Sequence, residues 1–211
     1  DNIDGAGGDD IIMATAGDGN DAYNGGVGID FYNLSNTTAA ATVNLANGTS
    51  TSTQTGSDTL SSIEGVLGSF GNDSLTGSAN ADILDGGNGA DTINGGAGND
   101  TLSGGAGNND VVNGGAGNDL IIYNFGDGND TSYDGGADTD TVRINGTAGA
   151  NTLTAVWNGT RLASFNGTQA TWVQTTSPAA PLDNQANVRL RYRMTSDSGV
   201  VADGFYVDDF K

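Results

Sequence analysis

Along much of this chain, single apolar residues stand between small polar ones and recur with glycine-rich stretches between them. From Gly86 the sequence reads GGNGADTIN, GGAGNDTLS, GGAGNNDVVN and GGAGNDLII, which are four units in register with one additional Asn at 108–109. A segment such as Thr92-Ile93-Asn94 has the period-two pattern of a short strand whose middle side chain faces inward. Because a turn follows each strand, the chain must coil, with each strand stacked in parallel on the strand one turn away.

The inward positions form a single column in this interpretation. Each unit contributes one apolar residue, and only 35% of the chain is apolar, so a large hydrophobic core is not available. The predicted inward residues are Ile11, Tyr23, Tyr32, Leu60, Leu75, Leu84, Ile93, Leu102, Val112, Ile121 and Val142.

The acidic residues follow the same period. Residues 1–142 hold 20 Asp and one Glu but no Lys or Arg, whereas residues 143–211 hold five Asp and six Lys or Arg. A polyanion of this density repels itself when it is compact. An aspartate that returns behind three glycines therefore predicts a tight backbone bend and a cation where the carboxylates converge. The change of composition near Val142 predicts two regions with different structures.

Composition also excludes several classes of function. The chain has no Cys and no His, which removes disulfides, thiolate metal sites and most transition-metal sites. Its charge excludes nucleic acid as a partner, and no apolar run is long enough for a membrane span. No nucleophile elbow, zinc-protease motif or P-loop occurs, so this chain is not expected to be an enzyme. Because it opens inside a repeat, it is expected to be a segment of a longer protein.

The unit Gly-Gly-x-Gly-x-Asp-x-(apolar)-x resembles the RTX, or hemolysin-type calcium-binding, repeat family. The best-matching stretch is Gly68–Ile122, and residues 56–77 are similar to the lead-in that often precedes such repeats. The resemblance implies an all-β fold, a right-handed parallel β-roll of nonapeptide repeats that binds several Ca²⁺ ions. Carboxylate and backbone carbonyl oxygens are the ligands that this hard ion prefers. Degraded units lie at Gly5–Ile12, Ala16–Asn24, Gly25–Asn33, Gly126–Tyr133 and Gly135–Arg143.

In the family's arrangement, each calcium lies between one loop and the loop two units further on. The implied pairs are Asp73 with Asp91, Asp82 with Asp100, Asp91 with Asp110, and Asp100 with Asp119. Asn80, in place of a glycine, and the inserted Asn109 are expected to weaken the sites beside them. The residues predicted to hold calcium are Asp9, Asp21, Asp30, Asp73, Asp82, Gly87, Gly89, Asp91, Gly96, Gly98, Asp100, Gly105, Gly107, Asp110, Gly115, Gly117, Asp119, Asp130 and Asp140.

The roll is predicted to occupy residues 1–142, with an insertion at 34–55 that interrupts the repeat. Within the insertion, Thr42-Val43-Asn44-Leu45 alternates and is predicted to be an edge strand. The rest of the insertion is predicted to be a surface excursion.

Two further segments are predicted after the roll. Residues 143–176 are expected to form an antiparallel β meander that caps the open end of the coil. Residues 177–211 are expected to form a C-terminal β segment that is part of a jelly-roll-like domain, because 202–210 is similar to the closing strand of accessory domains on secreted bacterial proteases. The predicted hairpin turns of the meander are Asn145-Gly146, Asn158-Gly159 and Asn166-Gly167.

Partners beyond calcium are suggested by the C-terminal third. Trp157 and Trp172 are interpreted either as a carbohydrate-stacking pair or as buried aromatics of the cap. Arg189, Arg191 and Arg193 alternate along one strand and form either a solvated face or a docking face for an acidic partner, such as the roll of a neighbouring subunit.

Two functional hypotheses follow from these patterns. The first is a calcium-dependent structural and interaction module of a secreted or surface-associated bacterial protein, folding when it meets calcium outside the cell and contacting another copy or a cell-surface polysaccharide. The second is a non-catalytic C-terminal module that serves secretion and folding of a type I-secreted hydrolase, such as a metalloprotease, a lipase or a polysaccharide-modifying enzyme. A His-bearing catalytic domain upstream would favour the second hypothesis.

Overall fold

The computed structural model describes residues 1–145 in full and gives the backbone strands at 150–157, 160–168, 171–176, 189–193 and 206–207. These described residues form strands and turns, with no helix among them, which confirms the predicted all-β class. The strands are β1 (Asn2–Asp4), β2 (Ile11–Met13), β3 (Ala22–Asn24), β4 (Phe31–Asn33), β5 (Ala41–Asn44), β6 (Thr49–Ser52), β7 (Gly56–Ser61), β8 (Gly65–Leu67), β9 (Ser74–Thr76), β10 (Ile83–Asp85), β11 (Asn88–Gly89), β12 (Thr92–Ala97), β13 (Thr101–Ser103), β14 (Ala106–Gly107), β15 (Val111–Ala116), β16 (Leu120–Asn124), β17 (Ser132–Ala137), β18 (Asp140–Asn145), β19 (Ala150–Trp157), β20 (Thr160–Thr168), β21 (Thr171–Thr176), β22 (Arg189–Arg193) and β23 (Tyr206–Val207).

The chain winds as a coil whose strands fall alternately in two sheets. Sheet one has nine strands in the order β1-β3-β7-β6-β5-β9-β12-β15-β17, and sheet two has ten, beginning β2-β4-β8-β10-β13-β16-β18. Neighbouring turns stack in parallel and in register, so that Leu75 lies opposite Ile93 and Ile93 lies opposite Val112. The coil makes about seven turns, which confirms the predicted parallel β-roll.

The core is a narrow column of side chains between the two sheets. Leu84, Leu102 and Ile121 of sheet two stack directly over one another and are at most 1% exposed. Their neighbours along each strand face outward because side chains alternate. Val142 packs against this column while only partly buried. The predicted inward positions are confirmed at Tyr23, Tyr32, Leu60, Leu75, Leu84, Ile93, Leu102, Val112 and Ile121.

The prediction is wrong in the first turn, where Ile12 rather than Ile11 faces the core. Ile11 is 67% exposed and Ile12 is 5% exposed. When Gly5 is taken as the first position, the unit GAGGDDIIM places Ile12 eighth, which is the position of Tyr32 in the next turn. Ala6 conceals this alignment because it stands where the second glycine normally lies, and it has the positive φ of 68° that the turn requires.

Residues 34–55 belong to sheet one and are not a surface excursion. Strand β5 pairs in parallel with β9 and antiparallel with β6, so it lies inside the sheet and the expectation of an edge strand is wrong. Strand β6 then pairs antiparallel with β7, which stacks in parallel on β3. Thr37, Ser50 and Thr55 are at most 1% exposed, so the insertion also contributes to the interior of the coil.

Beyond the coil, sheet two continues with antiparallel strands. Strand β21 pairs with β18 of the last turn, β22 pairs with β21, and β23 pairs with β22. Strands β19 and β20 form a separate antiparallel pair. These pairings are antiparallel, as expected for the predicted meander, and β21 is the strand that pairs with the last turn of the coil.

One predicted hairpin turn is wrong. Asn166 and Gly167 lie within β20, opposite Thr152 and Asn151 of β19, because the long partner strand continues the ladder through them. Gly146 and the Asn158-Gly159 turn lie outside the described residues, as do 177–188, 194–205 and 208–211 of the predicted C-terminal segment. The side chains of the tryptophan pair and of the β22 arginines also lie outside the description.

The adjacent residues Ile11 and Ile12 give a matched test of the core. With calcium present, Ile12→Ala should lower the free energy of unfolding by about 2–4 kcal/mol, because it removes a buried side chain and leaves a cavity. Ile11→Ala should change it by less than about 0.5 kcal/mol, because the side chain is exposed. Urea denaturation followed by circular dichroism measures both. Equal losses of stability for the two variants would show that Ile12 is not the residue of the first turn that faces the core.

Candidate metal centre

The loops between the two sheets stack into two columns, one along each side of the coil. Loop column one leads from sheet two to sheet one, and loop column two leads from sheet one to sheet two. In most of these loops an acidic residue stands two positions before the next inward residue, or three positions at Asp130, but the loop from β4 to β5 has none. Asp58 has the same spacing within β7. Loop column one carries Asp21, Asp58, Asp73, Asp91, Asp110 and Asp130, and loop column two carries Asp10, Asp30, Glu64, Asp82, Asp100, Asp119 and Asp140.

Carboxylates on successive turns are joined by backbone hydrogen bonds. The N–H of Asp73 donates to Oδ1 of Asp91 at 2.7 Å, and the N–H of Asp91 donates to Oδ1 of Asp110 at 2.8 Å. Loop column two repeats this bond from Asp82 to Asp100, from Asp100 to Asp119 and from Asp119 to Asp140. The structure therefore brings together, on adjacent turns, all four aspartate pairs that the family resemblance implies.

The second carboxylate oxygen has no partner in many of these loops. A buried carboxylate oxygen without a hydrogen bond is costly, by about 1–3 kcal/mol or more for a charged group. Because residues 1–142 contain no Lys or Arg, no side chain there supplies a positive charge. The buried carboxylate oxygens without a hydrogen-bond partner are Oδ2 of Asp10, Asp30, Asp91, Asp100, Asp110 and Asp119, and Oδ1 of Asp18 and Asp82.

The first glycine of each loop makes room for these oxygens. A Cβ on Gly95 would collide with Oδ2 of Asp100 and with the carbonyl oxygen of Gly114 on the next turn. Gly114 has the same relation to Oδ2 of Asp119 and the carbonyl oxygen of Gly135. Carboxylate and carbonyl oxygens from adjacent turns thus converge beside the first glycines Gly68, Gly77, Gly86, Gly95 and Gly114. An all-oxygen environment of this kind fits Ca²⁺.

The other glycines predicted to hold calcium form the turns themselves. Gly87 and Gly96 have φ of 87° and 103°, a left-handed conformation that residues with a Cβ rarely adopt. Gly107 departs from this pattern, because the inserted Asn109 takes the positive φ of 73° in its loop. Positive φ is found at Gly87, Gly89, Gly96, Gly98, Gly105, Gly115 and Gly117.

Carboxylates alone do not complete a cage for an ion. Within the described part of the chain, no three Asp or Glu side chains gather closely enough to form a metal site by themselves. An ion bound in a loop column must therefore take backbone oxygens as well, which is what the converging carbonyls offer.

The electrostatics of the columns favour a counter-charge. Burial, with the carboxylates on adjacent turns acting in the same direction, raises the pKa of Asp91 to about 7 and that of Asp100 to about 6. Burial also raises the pKa of Asp119, whose neighbour Asp140 acts in the same direction. In the metal-free roll, protons and cations therefore compete for the same buried oxygens.

Three of the predicted metal residues have surroundings that differ from those of the loop aspartates above. Asp9 is exposed and accepts a hydrogen bond from the N–H of Ile29 at 2.9 Å, so it lies outside both columns. Asp21 and Asp130 lie in loop column one, but each accepts a hydrogen bond from a tyrosine hydroxyl.

The structure adds three carboxylates that the prediction omitted. Asp10 takes the column position beside Asp9, and Asp58 and Glu64 take column positions in the third turn. The signal was present in the sequence, since each of the three stands two residues before an inward apolar residue. The unusual glycine pattern of those units conceals it.

The fold and the loop columns define a calcium-binding parallel β-roll. Residues 66–131 match the family model of the RTX calcium-binding nonapeptide repeat in four overlapping copies, at 66–93, 76–109, 85–121 and 109–131. This segment is therefore an array of RTX repeats, and such repeats bind several Ca²⁺ ions. It is a structural calcium-binding module. No match was found among curated proteins, and the described residues include no helix that could cross a membrane.

Gly95 tests the convergence of oxygens at a first glycine. Gly95→Ala should raise the calcium concentration at the folding midpoint at least several-fold, because its Cβ would displace Oδ2 of Asp100 and the carbonyl of Gly114. Gly7→Ala is the control, since its Cβ would meet only ordinary contacts at 3.6 Å and 3.9 Å. Circular dichroism during a calcium titration measures both midpoints, and equal midpoints would contradict the close approach.

The raised pKa values give a pH dependence for the metal-free chain. The folded state binds protons more tightly than the unfolded chain, whose aspartates titrate near pH 4. In chelator, stability should therefore be lowest above pH 8 and should rise as the pH falls through 7 and 6, where Asp91 and Asp100 protonate. Urea denaturation in chelator at pH 8, 6 and 5 measures this. A loss of stability between pH 8 and pH 5 would contradict the predicted sign.

Proposed function

We propose that this chain is a calcium-dependent structural and interaction module of a secreted or surface-associated bacterial protein. The observation that carries the proposal is the set of buried carboxylate oxygens without partners, in a stretch of 142 residues that has no Lys or Arg. A fold that buries charge in this way is stable only when an external cation neutralises it.

The proposed calcium ligands are the loop aspartates with an unpartnered oxygen and the carbonyl oxygens that converge on them. In loop column one these are Asp91 and Asp110, and in loop column two they are Asp30, Asp82, Asp100 and Asp119. Asp10 replaces Asp9 in this set because it occupies the column position. The glycines contribute by turning the backbone and by leaving space, so that oxygens from two turns approach one ion.

The energetics favour folding outside the cell. Extracellular calcium modules bind with dissociation constants of about 10⁻⁴ to 10⁻³ M. With calcium at ten times that constant, each site adds roughly 1.4 kcal/mol to stability by mass action. A handful of sites is then comparable with the whole stability of a small domain, roughly 5–15 kcal/mol. Where free calcium is scarce, as in a cytoplasm, the acidic region remains unfolded and suited to export as an open chain.

The domain organisation is part of the proposal. Residues 1–142 form the calcium-dependent roll, including the insertion at 34–55, which is built into sheet one. Residues 143–176 act as the cap, and the pairing of β21 with β18 supports that role because it covers an edge that would otherwise be open. Residues 177–211 form the C-terminal β segment, of which β22 and β23 extend the same sheet.

A calcium titration with two matched variants tests the proposal. Asp100→Asn should raise the calcium concentration at the folding midpoint several-fold, because it removes a charge at a buried oxygen without a partner. Asp9→Asn removes an equal charge from an exposed side chain outside the columns and should leave the midpoint nearly unchanged. Far-UV circular dichroism follows the transition.

Limited proteolysis of the wild-type chain completes this test. In chelator at low ionic strength, residues 1–142 should be digested rapidly, and millimolar calcium should protect them. A chelated chain that stays compact and resists digestion would overturn the proposed function.

A further inference from the structure

The carboxylates of the loop columns fall into two groups. In the first group, one oxygen is buried without a partner, as at Asp10, Asp30, Asp82, Asp91, Asp100, Asp110 and Asp119. Except at Asp10 and Asp82, the loop has glycine at its first two positions. At Asp82 the N–H and the hydroxyl of Ser78 both donate to Oδ2, so Oδ1 keeps no partner. In the second group, both oxygens accept hydrogen bonds and at least one donor is a side-chain hydroxyl. The second group consists of Asp21, Asp58, Asp73 and Asp130, and at Asp21 the donor to Oδ1 is the amino terminus of Asp1.

Tyrosines supply three of these hydroxyls. Tyr32 donates to Oδ2 of Asp58 at 2.7 Å, while Oδ1 of Asp58 accepts from the N–H of Asp21 at 3.1 Å. Tyr133 donates to Oδ2 of Asp130 at 2.8 Å, and Tyr23 donates to Oδ2 of Asp21 at 3.1 Å. All three tyrosines replace an aliphatic residue at an inward position. The ring fills the core there, and the longer side chain carries the hydroxyl to the corner where the carboxylate lies.

A serine does the same at Asp73. Ser69 stands in the place of the second glycine in the loop GSFGND, and φ is not positive at this residue. Its backbone N–H donates to Oδ2 of Asp73 at 2.6 Å, and its hydroxyl donates to Oδ1 at 2.8 Å. Oδ1 also accepts from the N–H of Ala41 at 2.7 Å, so the carboxylate is fully satisfied by the protein.

We propose that the hydroxyls of Tyr23, Tyr32, Tyr133 and Ser69 substitute for calcium at these four carboxylates, so that calcium is confined to loops whose aspartate has an unpartnered oxygen. This inference rests on the proposed function. A donated hydroxyl places its hydrogen against the carboxylate oxygen, where a cation would otherwise bind. Calcium would have to displace that hydrogen bond, and it gains less from an oxygen that is already satisfied.

The same hydroxyls identify the part of the coil that needs least metal. Asp21, Asp58 and Asp73 are successive carboxylates of loop column one, on either side of the strands of the insertion. The rings of Tyr23 and Tyr32 lie 5.5 Å apart between the two sheets at this level. Among the carboxylates at column positions, those of loop column one therefore depend on calcium only at Asp91 and Asp110, whereas those of loop column two depend on it over most of its length.

Counting bound calcium in the full chain tests the proposal. At saturating calcium, Asp58→Asn and Asp130→Asn should bind as many ions as the wild type, because neither carboxylate is a ligand. Asp100→Asn should bind at least one ion fewer. Equilibrium dialysis with metal analysis gives the stoichiometry, and circular dichroism shows which variants fold.

Two further variants test the hydroxyls directly. Ser69→Gly converts the loop to GGFGND, removes the hydroxyl donor and allows the positive φ that Gly87 and Gly96 have in their loops. In those loops Oδ2 of the aspartate has no donor, so the variant should release Oδ2 of Asp73 and add one bound ion. Tyr32→Phe should raise the calcium concentration at the folding midpoint, because Oδ2 of Asp58 loses its donor. Tyr123→Phe is the control, since that hydroxyl donates to the carbonyl of Gly128 and not to a carboxylate.

The outcomes separate this inference from the proposed function. If the wild type binds no calcium, the proposed function and the inference both fail. If the wild type binds calcium but Asp58→Asn or Asp130→Asn loses an ion, the inference alone is overturned. A Ser69→Gly variant that folds and binds the same number of ions as the wild type would also overturn it, whereas a gain of one ion supports it.

Discussion

The structure depends on the burial of carboxylates at the corners of a coil that has almost no positive charge. An aspartate such as Asp100 is 1% exposed, and it supports the turn by accepting the backbone N–H of the aspartate one turn earlier. That hydrogen bond requires the carboxylate to point inward, and the inward position removes it from water. The geometry that makes the turn thus creates the need for an ion. The same burial raises the pKa of Asp91 and Asp100.

The narrow core explains why the corners matter so much. Each strand contributes one inward side chain, and the short strands between Ser74 and Ser103 are stacked on neighbours by few hydrogen bonds. Hydrophobic burial on this scale is small for a domain of this length. The aspartate ladder and its counter-ions therefore contribute a share of the stability that side-chain packing supplies in an ordinary globular core.

The repeat period made most of the coil predictable from sequence. The inward positions from Leu75 to Ile121 followed directly from the nine-residue spacing, because a coil repeats the same contacts at each turn. The four aspartate pairs followed from the family resemblance. The predictions at Asp9 and Ile11 are each wrong by one residue, since Asp10 and Ile12 take those positions. Both errors have one cause, because Ala6 occupies a glycine position and conceals the alignment of the unit.

Other features depend on tertiary pairing and were not predictable in this way. Residues 34–55 carry no repeat signal, and their place inside sheet one is decided by the pairing of β5 with β9. Asn166-Gly167 has a turn sequence but lies within β20 because its partner strand continues past it. The distinction between satisfied and unsatisfied carboxylates also needs coordinates, since an inward Tyr133 and an inward Leu102 look equivalent in an apolar pattern.

The strands of the insertion have a mechanical consequence. Between β3 and β9, sheet one holds three strands, whereas sheet two holds only β8 between β4 and β10. Strands lie about 4.8 Å apart, so one wall of the coil is longer than the other by roughly 10 Å over this stretch. The two sheets therefore cannot both remain straight at this level, because sheet one holds two more strands than sheet two. Either the axis of the coil bends at the insertion or the two sheets separate there, so the insertion interrupts the regular stacking of the turns.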